Sequence, residues 1–460
     1  MDVTHPNATN VDMTPLRSES TGRIIEPSDG DYEEAKTIFY GGEDRRPAAI
    51  ARVAHSDDVA RVVTLARESG IDLAVRSGGH SVARHSLVDG GIVVDLRDMK
   101  GIEIDAVERI AWAETGLTAG EYTEATGARG LATGFGDTGS VGIGGITLGG
   151  GIGYLVRKYG LTIDDLRAAE VVTADGSTLE VDADSHPDLF WAIRGGGGNF
   201  GVTTRFKFHL HEVDRIYGGM LFMPASADAI VALVEETVAA PDELSAMVNV
   251  MKAPPMPFIP EEYHGRPVVM VLLAHCGDVE EGQRVTDRLR KIATPIGDMA
   301  RPMTYPEVYP PEEEGFHPVA ASRTMFAEGV DRNAAVSILD HLESSSAFMA
   351  VAHLRALGGA IARVPTDATA FSHRDRLLLA NVAALFESPD QKEEHEAWVA
   401  DLSGDLAGAP GAYPGFLGDD GAERIREAYV GPTWDRLAEV KRRYDPDNVF
   451  RLNHNVSPLG

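Results

Sequence analysis

Hydrophobic and polar positions along the 460-residue chain fall into two regimes. In the first, short apolar runs alternate with turns and brief helices. Tyr32 to Tyr40 reads as a short helix and Arg46 to Val53 as a strand. Ser56 and Asp57 are set to cap a helix whose Val59, Val62, Val63 and Ala66 share one face, and Gly70 is set to end it. Strands are predicted over Leu73 to Val75, Ile92 to Leu96, Ile102 to Ile104 and Ala111 to Gly116. Thr118 starts a helix running to about Arg129. Ala168 to Thr173 and Thr178 to Val181 flank Asp175-Gly176 as a hairpin; Asp188 to Ile193 is a short helix and Val202 to Leu210 a strand.

The second regime begins between Val213 and Gly219, with longer alternating units. Ser226 to Val238 and Val279 to Ile292 are amphipathic helices, the first with Ser226 as its cap. Val268 to Cys276 and Ala350 to Leu357 are strands. Proline-rich loops at Pro254 to Pro257 and Pro306 to Pro318, the latter with Glu312-Glu313-Glu314, are read as mobile covers. Ala422 to Tyr444 is helical and stops at Tyr444-Asp445-Pro446-Asp447-Asn448. The polar residues before about Arg23 are expected to be mobile.

Two glycine-rich stretches break this rhythm. Arg76-Ser77-Gly78-Gly79-His80-Ser81 follows a strand, clears two positions of side chains and then presents one imidazole. Gly139 to Gly153 carries glycine too densely for an ordinary helix or strand, where each costs about 0.5–1 kcal/mol relative to alanine. Successive backbone N–H groups in such turns form concavities suited to phosphate. The Rossmann reading of Gly142-Ile143-Gly144 fails, because no buried strand precedes it and the glycines continue. The chain has neither a P-loop nor a GxSxG elbow.

The strings RSGGH, GSVGIGGITLGGGIGYLVRKYGLTIDDL, DLFWAIRGGGGNFGVTT and YDPDNVFRLNHNVSP stand in that order. Together they resemble the berberine bridge enzyme-like FAD-linked oxidases of the vanillyl-alcohol oxidase/PCMH superfamily. The resemblance runs from about Ile50 to the C-terminus. It implies an α+β, two-domain PCMH-type FAD-binding fold, with a substrate domain built on an antiparallel sheet covered by helices. The corresponding segments are a mobile 1–23, an FAD-binding domain over 24–214, a substrate-binding domain over 215–420 and a segment 421–460 that returns to the FAD-binding domain.

The resemblance also assigns residues. His80 is implied as the covalent attachment point of FAD. Arg76, Ser77, Gly78, Gly79 and Ser81 are implied around the cofactor, with Thr138, Gly139, Ser140, Val141, Gly142, Gly144 and Gly145. Gly149, Gly150, Gly153 and Tyr154 continue that wall. Gly201 and Val202 are implied at the adenine edge, Asn453 and Asn455 at the flavin ring. Many relatives carry a second tether, a cysteine, where this chain has Thr138, so a single bond through His80 and a less open site are implied. Tyr413 and His454 are the candidate catalytic residues. Tyr413 is read equally as a base or as an aromatic wall, and Gly415 stands where the family usually has asparagine. His454 is read as a proton carrier or a polar support, and His85 as a histidine of the pocket rim. His373-Arg374 is read as structural, with Arg374 paired to Asp375 or another carboxylate. The small Val141 resembles the oxidases, which admit O2.

The implied reaction is hydride removal from a small or medium hydroxyl- or amine-bearing substrate, with reoxidation by O2 to H2O2. The alternatives are a flavin-dependent dehydrogenase with another electron acceptor, and a flavin-bearing binding protein without turnover.

Composition narrows the setting. A net charge of −29 argues against nucleic acid and anionic membranes as partners. The lone cysteine, Cys276, sits in a buried-strand pattern, rules out an internal disulfide framework and fits a reducing compartment, read as the cytoplasm. A monomer or small homo-oligomer is expected. The start of the chain lacks the apolar core of a secretory signal, and no apolar run is long enough to span a bilayer. His209 and His211 lack a third ligand nearby, and no metal is expected.

Overall fold

The computed structural model describes residues 12–42, 44–309, 315–406, 408, 411–419 and 421–459. Three sheets carry the architecture. The first orders Arg23–Ile25, Ala49–Arg52, Ile92–Asp95 and Leu73–Arg76 side by side, the last three parallel. The helix Ser56–Ser69 crosses between two of them and buries Val59, Val62, Val63 and Ala66. Gly70 takes the left-handed φ of 68° that ends it. Ser56 is the first helical residue and not the cap; the side chain that gathers backbone N–H groups there is Asp58, which accepts from Thr21, Gly22 and Ala54.

The second sheet is antiparallel, in the order Ile102–Asp105, Ile110–Glu114, Val202–His209, Leu166–Val172 and Thr178–Asp182. Thr118 caps the helix Ala119–Gly127 reciprocally with Glu121. The glycine run joins the two sheets.

The third sheet has eight strands. Its six long ones run Arg215–Pro224, Pro267–His275, Leu244–Lys252, Met349–Ala356, Leu378–Phe386 and Val319–Ala327 in spatial order, all antiparallel. Helices Ala227–Ala239, Val279–Ile292, Arg332–Ser344 and Lys392–Leu406 bury their apolar stripes on one of its faces. The other face turns toward the glycine run. Leu244–Lys252, Val319–Ala327, Leu378–Phe386 and the last two helices carry no motif, and the sequence reading leaves them unassigned.

Several expectations need correction. Residues 1–11 lie outside the described residues, but the rest of the segment read as mobile is folded. The helix Thr14–Glu19 lays Leu16, with Met13, into the same apolar cluster as Val59 and Leu73. The helix expected to Tyr40 ends at Ala35. Ala422 to Tyr444 is two helices, Ala422–Ala428 and Pro432–Tyr444, because Gly431 at φ 62° and Pro432 cannot continue the first. Despite its glycines, Ile143–Leu148 makes a short helix, held from outside by Ile143 N–H donating to Leu117 O and Gly144 N–H to the Ser77 hydroxyl. The acidic part of the 306–318 loop lies outside the described residues.

Candidate active site

The two glycine ribbons press directly on each other. A methyl group at Gly78 would sit 2.2 Å from Gly142 N, and one at Gly142 would sit 2.1 Å from Gly78 N. Neither position tolerates a side chain, and this fixes the floor of a cleft of about 330 Å³. Ser77, Gly78, Gly79, His80 and Ser81 line it, with Thr138, Val141, Gly142, Gly144, Gly145 and Gly149. Gly201, Val202, Asn453, Tyr413 and His454 line it too, as does His85.

Other expected residues stand behind the wall. Arg76 is buried with its guanidinium turned into the first sheet, 2.6 Å from Asp95 and donating to Ala35 O. The reason is electrostatic: a buried guanidinium needs a carboxylate partner, and Asp95 is on the adjacent strand. Gly139 takes the Gly120 N–H on its carbonyl. Gly150 faces the Phe371 ring, and Gly153 leaves no space, since a methyl there would overlap Phe135 O. Tyr154 packs with Tyr305 and Tyr309. Asn455 is off the cleft wall, its Oδ1 buried without a hydrogen-bond partner among the described residues.

Ser140 also sits behind the wall, with a specific role. Its hydroxyl lies 2.9 Å from His80 Nε2, and the imidazole stacks on Phe39 at a centroid distance of 4.3 Å. The ring is therefore held by its Nε2 edge and one face.

Tyr413 is buried, and its hydroxyl oxygen accepts the Gly151 N–H at 3.2 Å. Burial pushes the phenol up to about 12, so it stays protonated. His454 meets His85 edge to face, centroids 4.9 Å apart. Burial holds His454 down to about 3, with the His85 ring adding to the effect, and holds His85 to about 4. Both imidazoles are neutral at pH 7.

Arg374 pairs with Asp164 at 2.7 Å, not with the adjacent Asp375. His211 is engaged by Asp165 at 2.7 Å and stacks on Tyr159, and His209 meets its ring edge. Among the described residues no three His, Cys, Asp or Glu side chains converge as a metal site. Cys276 is a free, buried thiol near the Tyr159 hydroxyl. No helix of the described residues is long and apolar enough to cross a membrane.

The sequence reading misses further wall residues. Tyr40, Asp137, Thr203, Tyr429 and Phe450 all line the cleft. Gly197 and Gly198 do as well; these two glycines, Thr203 and Phe450 all fall inside the strings that carry the resemblance, whereas Tyr40, Asp137 and Tyr429 carry no signal.

The wall suits a dinucleotide. Gly145 and Gly198 open onto the cleft, and a methyl at either would meet no protein atom within 4 Å. Leu73, Val75 and Leu96 supply apolar surface. Tyr429 OH, Thr203 Oγ1 and Asn453 Oδ1 are buried without a hydrogen-bond partner among the described residues. Buried polar atoms are ordinarily partnered, so these three call for a polar ligand. FAD, with a flat ring, a pyrophosphate and a ribityl chain, fits that donor and acceptor set.

Comparison with known proteins agrees. Residues 47–182 match the family described as FAD binding domain, and residues 412–457 the family described as berberine and berberine like. The chain is 31% identical to (R)-6-hydroxynicotine oxidase of Paenarthrobacter nicotinovorans, covering 97% of this chain and 98% of that protein. It superposes on crystalline 6-hydroxy-D-nicotine oxidase from Arthrobacter nicotinovorans with a TM-score of 0.83, at 29% identity and covering 97% and 99% of the two chains. Glucooligosaccharide oxidase from Acremonium strictum, described with a 6-S-cysteinyl, 8α-N1-histidyl FAD, shares the fold with a TM-score of 0.82 at 22% identity, covering 95% and 97%. With near full-length likeness to an FAD oxidase and a cleft built for that cofactor, the chain belongs to the berberine bridge enzyme-like family of FAD-linked oxidoreductases.

Proposed function

We propose that this protein is an oxidase that removes a hydride from a small or medium hydroxyl- or amine-bearing molecule, using FAD attached through His80 alone. The observation that carries the reading is the His80 ring on the cleft wall, with Nε2 taken by Ser140. The 8α bond is read through Nδ1, the counterpart of the 8α-N1-histidyl link named for glucooligosaccharide oxidase. The cysteinyl link has no counterpart, since Thr138 stands at the position the resemblance gives it. Bound FAD supplies a hydride acceptor whose electrons pass to O2, giving H2O2.

The chain's own residues hold and orient. The N–H-rich turns of residues 77–81 and 139–145 receive the pyrophosphate. Asn453, on the cleft wall, would contact the flavin ring as the family pattern has it, whereas Asn455 stands behind that wall. Tyr413 keeps its proton and donates a hydrogen bond into the cleft. His454 stays a neutral polar support beside the ring. Val141, small and β-branched on the cleft wall, resembles the residue of the family members that admit O2. The protein is read as a cytoplasmic monomer or small homo-oligomer.

The test is absorbance. Acid-precipitated wild type is expected to stay yellow, and His80→Ala to release its flavin. A colourless purified protein removes the reading. Reoxidation of the reduced enzyme in air within seconds supports an oxidase; hours would make it a dehydrogenase with another acceptor.

A further inference from the structure

On the cleft-facing side of the large sheet, cross-strand register sets side chains in rows. One row reads Met247, Arg355, Leu379 and Phe326. Arg355 donates to Ile152 O at 2.8 Å and pairs with Asp137, both of them on the cleft wall. This row therefore rests against the cleft. The next reads Met270, Asn249, His353, Asn381 and Thr324. It lies two residues further along each strand, about 7 Å away. Beyond it, Met251, Val351 and Ala383 join Phe222 and Val268 in an apolar cluster.

A four-residue polar row inside a sheet, with Met247, Arg355, Leu379 and Phe326 on one side and Met251, Val351 and Ala383 on the other, is costly to bury unless something uses it. Its atoms are unevenly satisfied. Asn249 donates through Nδ2 to Met270 O and Met247 O, so its Oδ1 is the acceptor for His353. His353 Nδ1 must then carry the proton, and Nε2 the lone pair. Nε2 has no hydrogen-bond partner among the described residues, and the ring is only half-buried although its strand is central in the sheet. Asn381 Oδ1 and Thr324 Oγ1 are buried and unpartnered.

We propose that His353 accepts the proton of a substrate that presents one hydroxyl or amine on an otherwise apolar frame, with Asn381 and Thr324 holding the same polar group. The proposal rests on the FAD oxidase reading. The substrate C–H bond breaks with its electron pair leaving as hydride to FAD. The O–H or N–H proton passes to Nε2, and a carbonyl or imine forms; the substrate loses two electrons and FAD gains them. Burial holds the ring down to about 4, with Asp137 and Arg355 acting in opposite senses, so it is an acceptor at pH 7. A polyhydroxylated sugar would find one polar row and apolar surface beyond it.

The holoenzyme, wild type and His353→Gln, is mixed anaerobically with benzyl alcohol, 2-phenylpyrrolidine and cellobiose while the flavin band is followed. The wild type is expected to bleach with an aromatic probe and not with cellobiose. His353→Gln is expected to bleach on the order of 100-fold more slowly, the scale of a general base. Dithionite should bleach both proteins alike. Equal rates in the variant overturn the role of His353; fastest bleaching by cellobiose, or none by either aromatic probe, overturns the substrate class. A colourless wild type would instead be failure of the flavin reading. Two-bond 1H–15N spectra of the imidazoles need no substrate: His353 is expected as the Nδ1–H tautomer, and Asn249→Leu to lose that preference. An Nε2–H ring in the wild type overturns the proposal.

Discussion

Ser140 Oγ lies 2.9 Å from Nε2 of His80, so one hydroxyl fixes which edge of the imidazole faces the cleft. Removing it takes away one of the holds on the ring's orientation about χ2, the stack on Phe39 remaining. Ser140→Ala is expected to fold normally and to carry flavin, but with a reduced covalent fraction, by several-fold. In-gel fluorescence after denaturation measures that fraction; an unchanged value would detach Ser140 from this role.

Two glycines three positions apart should respond in opposite ways. Gly145 lies in the short helix Ile143–Leu148 and faces open cleft. Alanine there favours the helix by about 0.5–1 kcal/mol yet occupies cofactor space. Gly145→Ala is expected to raise the melting temperature of flavin-free protein slightly and to lower flavin content. Gly142→Ala meets backbone at 2.1 Å and is expected to abolish soluble expression. Flavin-to-protein absorbance ratios and thermal melts separate the two.

Burial keeps His85 and His454 neutral, at about 4 and about 3, whereas the unfolded chain protonates them near 6.5. Their folded values are depressed, so below pH 6.5 the unfolded state binds protons that the folded state refuses. Stability is then lost as pH falls from 6.5 toward 4, by up to about 1.4 kcal/mol per pH unit for each ring. Urea unfolding at pH 7, 6 and 5 is expected to show a shallower decline in His454→Gln than in wild type. Parallel slopes would contradict this.

Lys441 and Asp445 form a fully buried pair at 2.6 Å in the last turn of Pro432–Tyr444. Lys441 also donates to Asn199 O and Phe450 O, while Asp445 accepts from Val449 and Phe450 N–H. The pair thus ties the loop bearing Asn453 and His454 to the cleft. Lys441→Met strands a buried carboxylate and is expected to cost about 3–5 kcal/mol. Denaturant midpoints measure the loss, and flavin content should fall with it.

Arg157, buried, joins the glycine-run region to the substrate side by donating to the carbonyls of Thr237, Val238 and Ala240 at the end of Ala227–Ala239. These are helix C-terminal carbonyls with no partner in their own helix. Arg157→Met is expected to destabilise by about 2–4 kcal/mol, since it leaves several buried acceptors unmade. A midpoint within error of wild type would show that water replaces the guanidinium.

What could be read along the chain was local. The helix start at Thr118, the αL stop at Gly70 and the Ser226 cap depend on neighbours within a few positions. The cofactor turns were legible from the glycine density of each stretch, although what forbids side chains at Gly78 and Gly142 is their contact with each other. Arg76 was misjudged, because its direction is set by Asp95 on a neighbouring strand. The mobile start was misjudged too, because Met13 and Leu16 gain burial only once Ser56–Ser69 and its sheet exist.

The sequence by itself determined that this chain folds around a backbone-lined cradle and offers it one imidazole, His80. Its signal is the density of glycine within each of two short stretches, although the contact that demands it is made between the stretches, Gly78 against Gly142. Only the tertiary structure decided which side chains stand side by side on the large sheet. Asn249, His353, Asn381 and Thr324 come from four separate strands, and antiparallel register, which no local pattern encodes, brings them into one row.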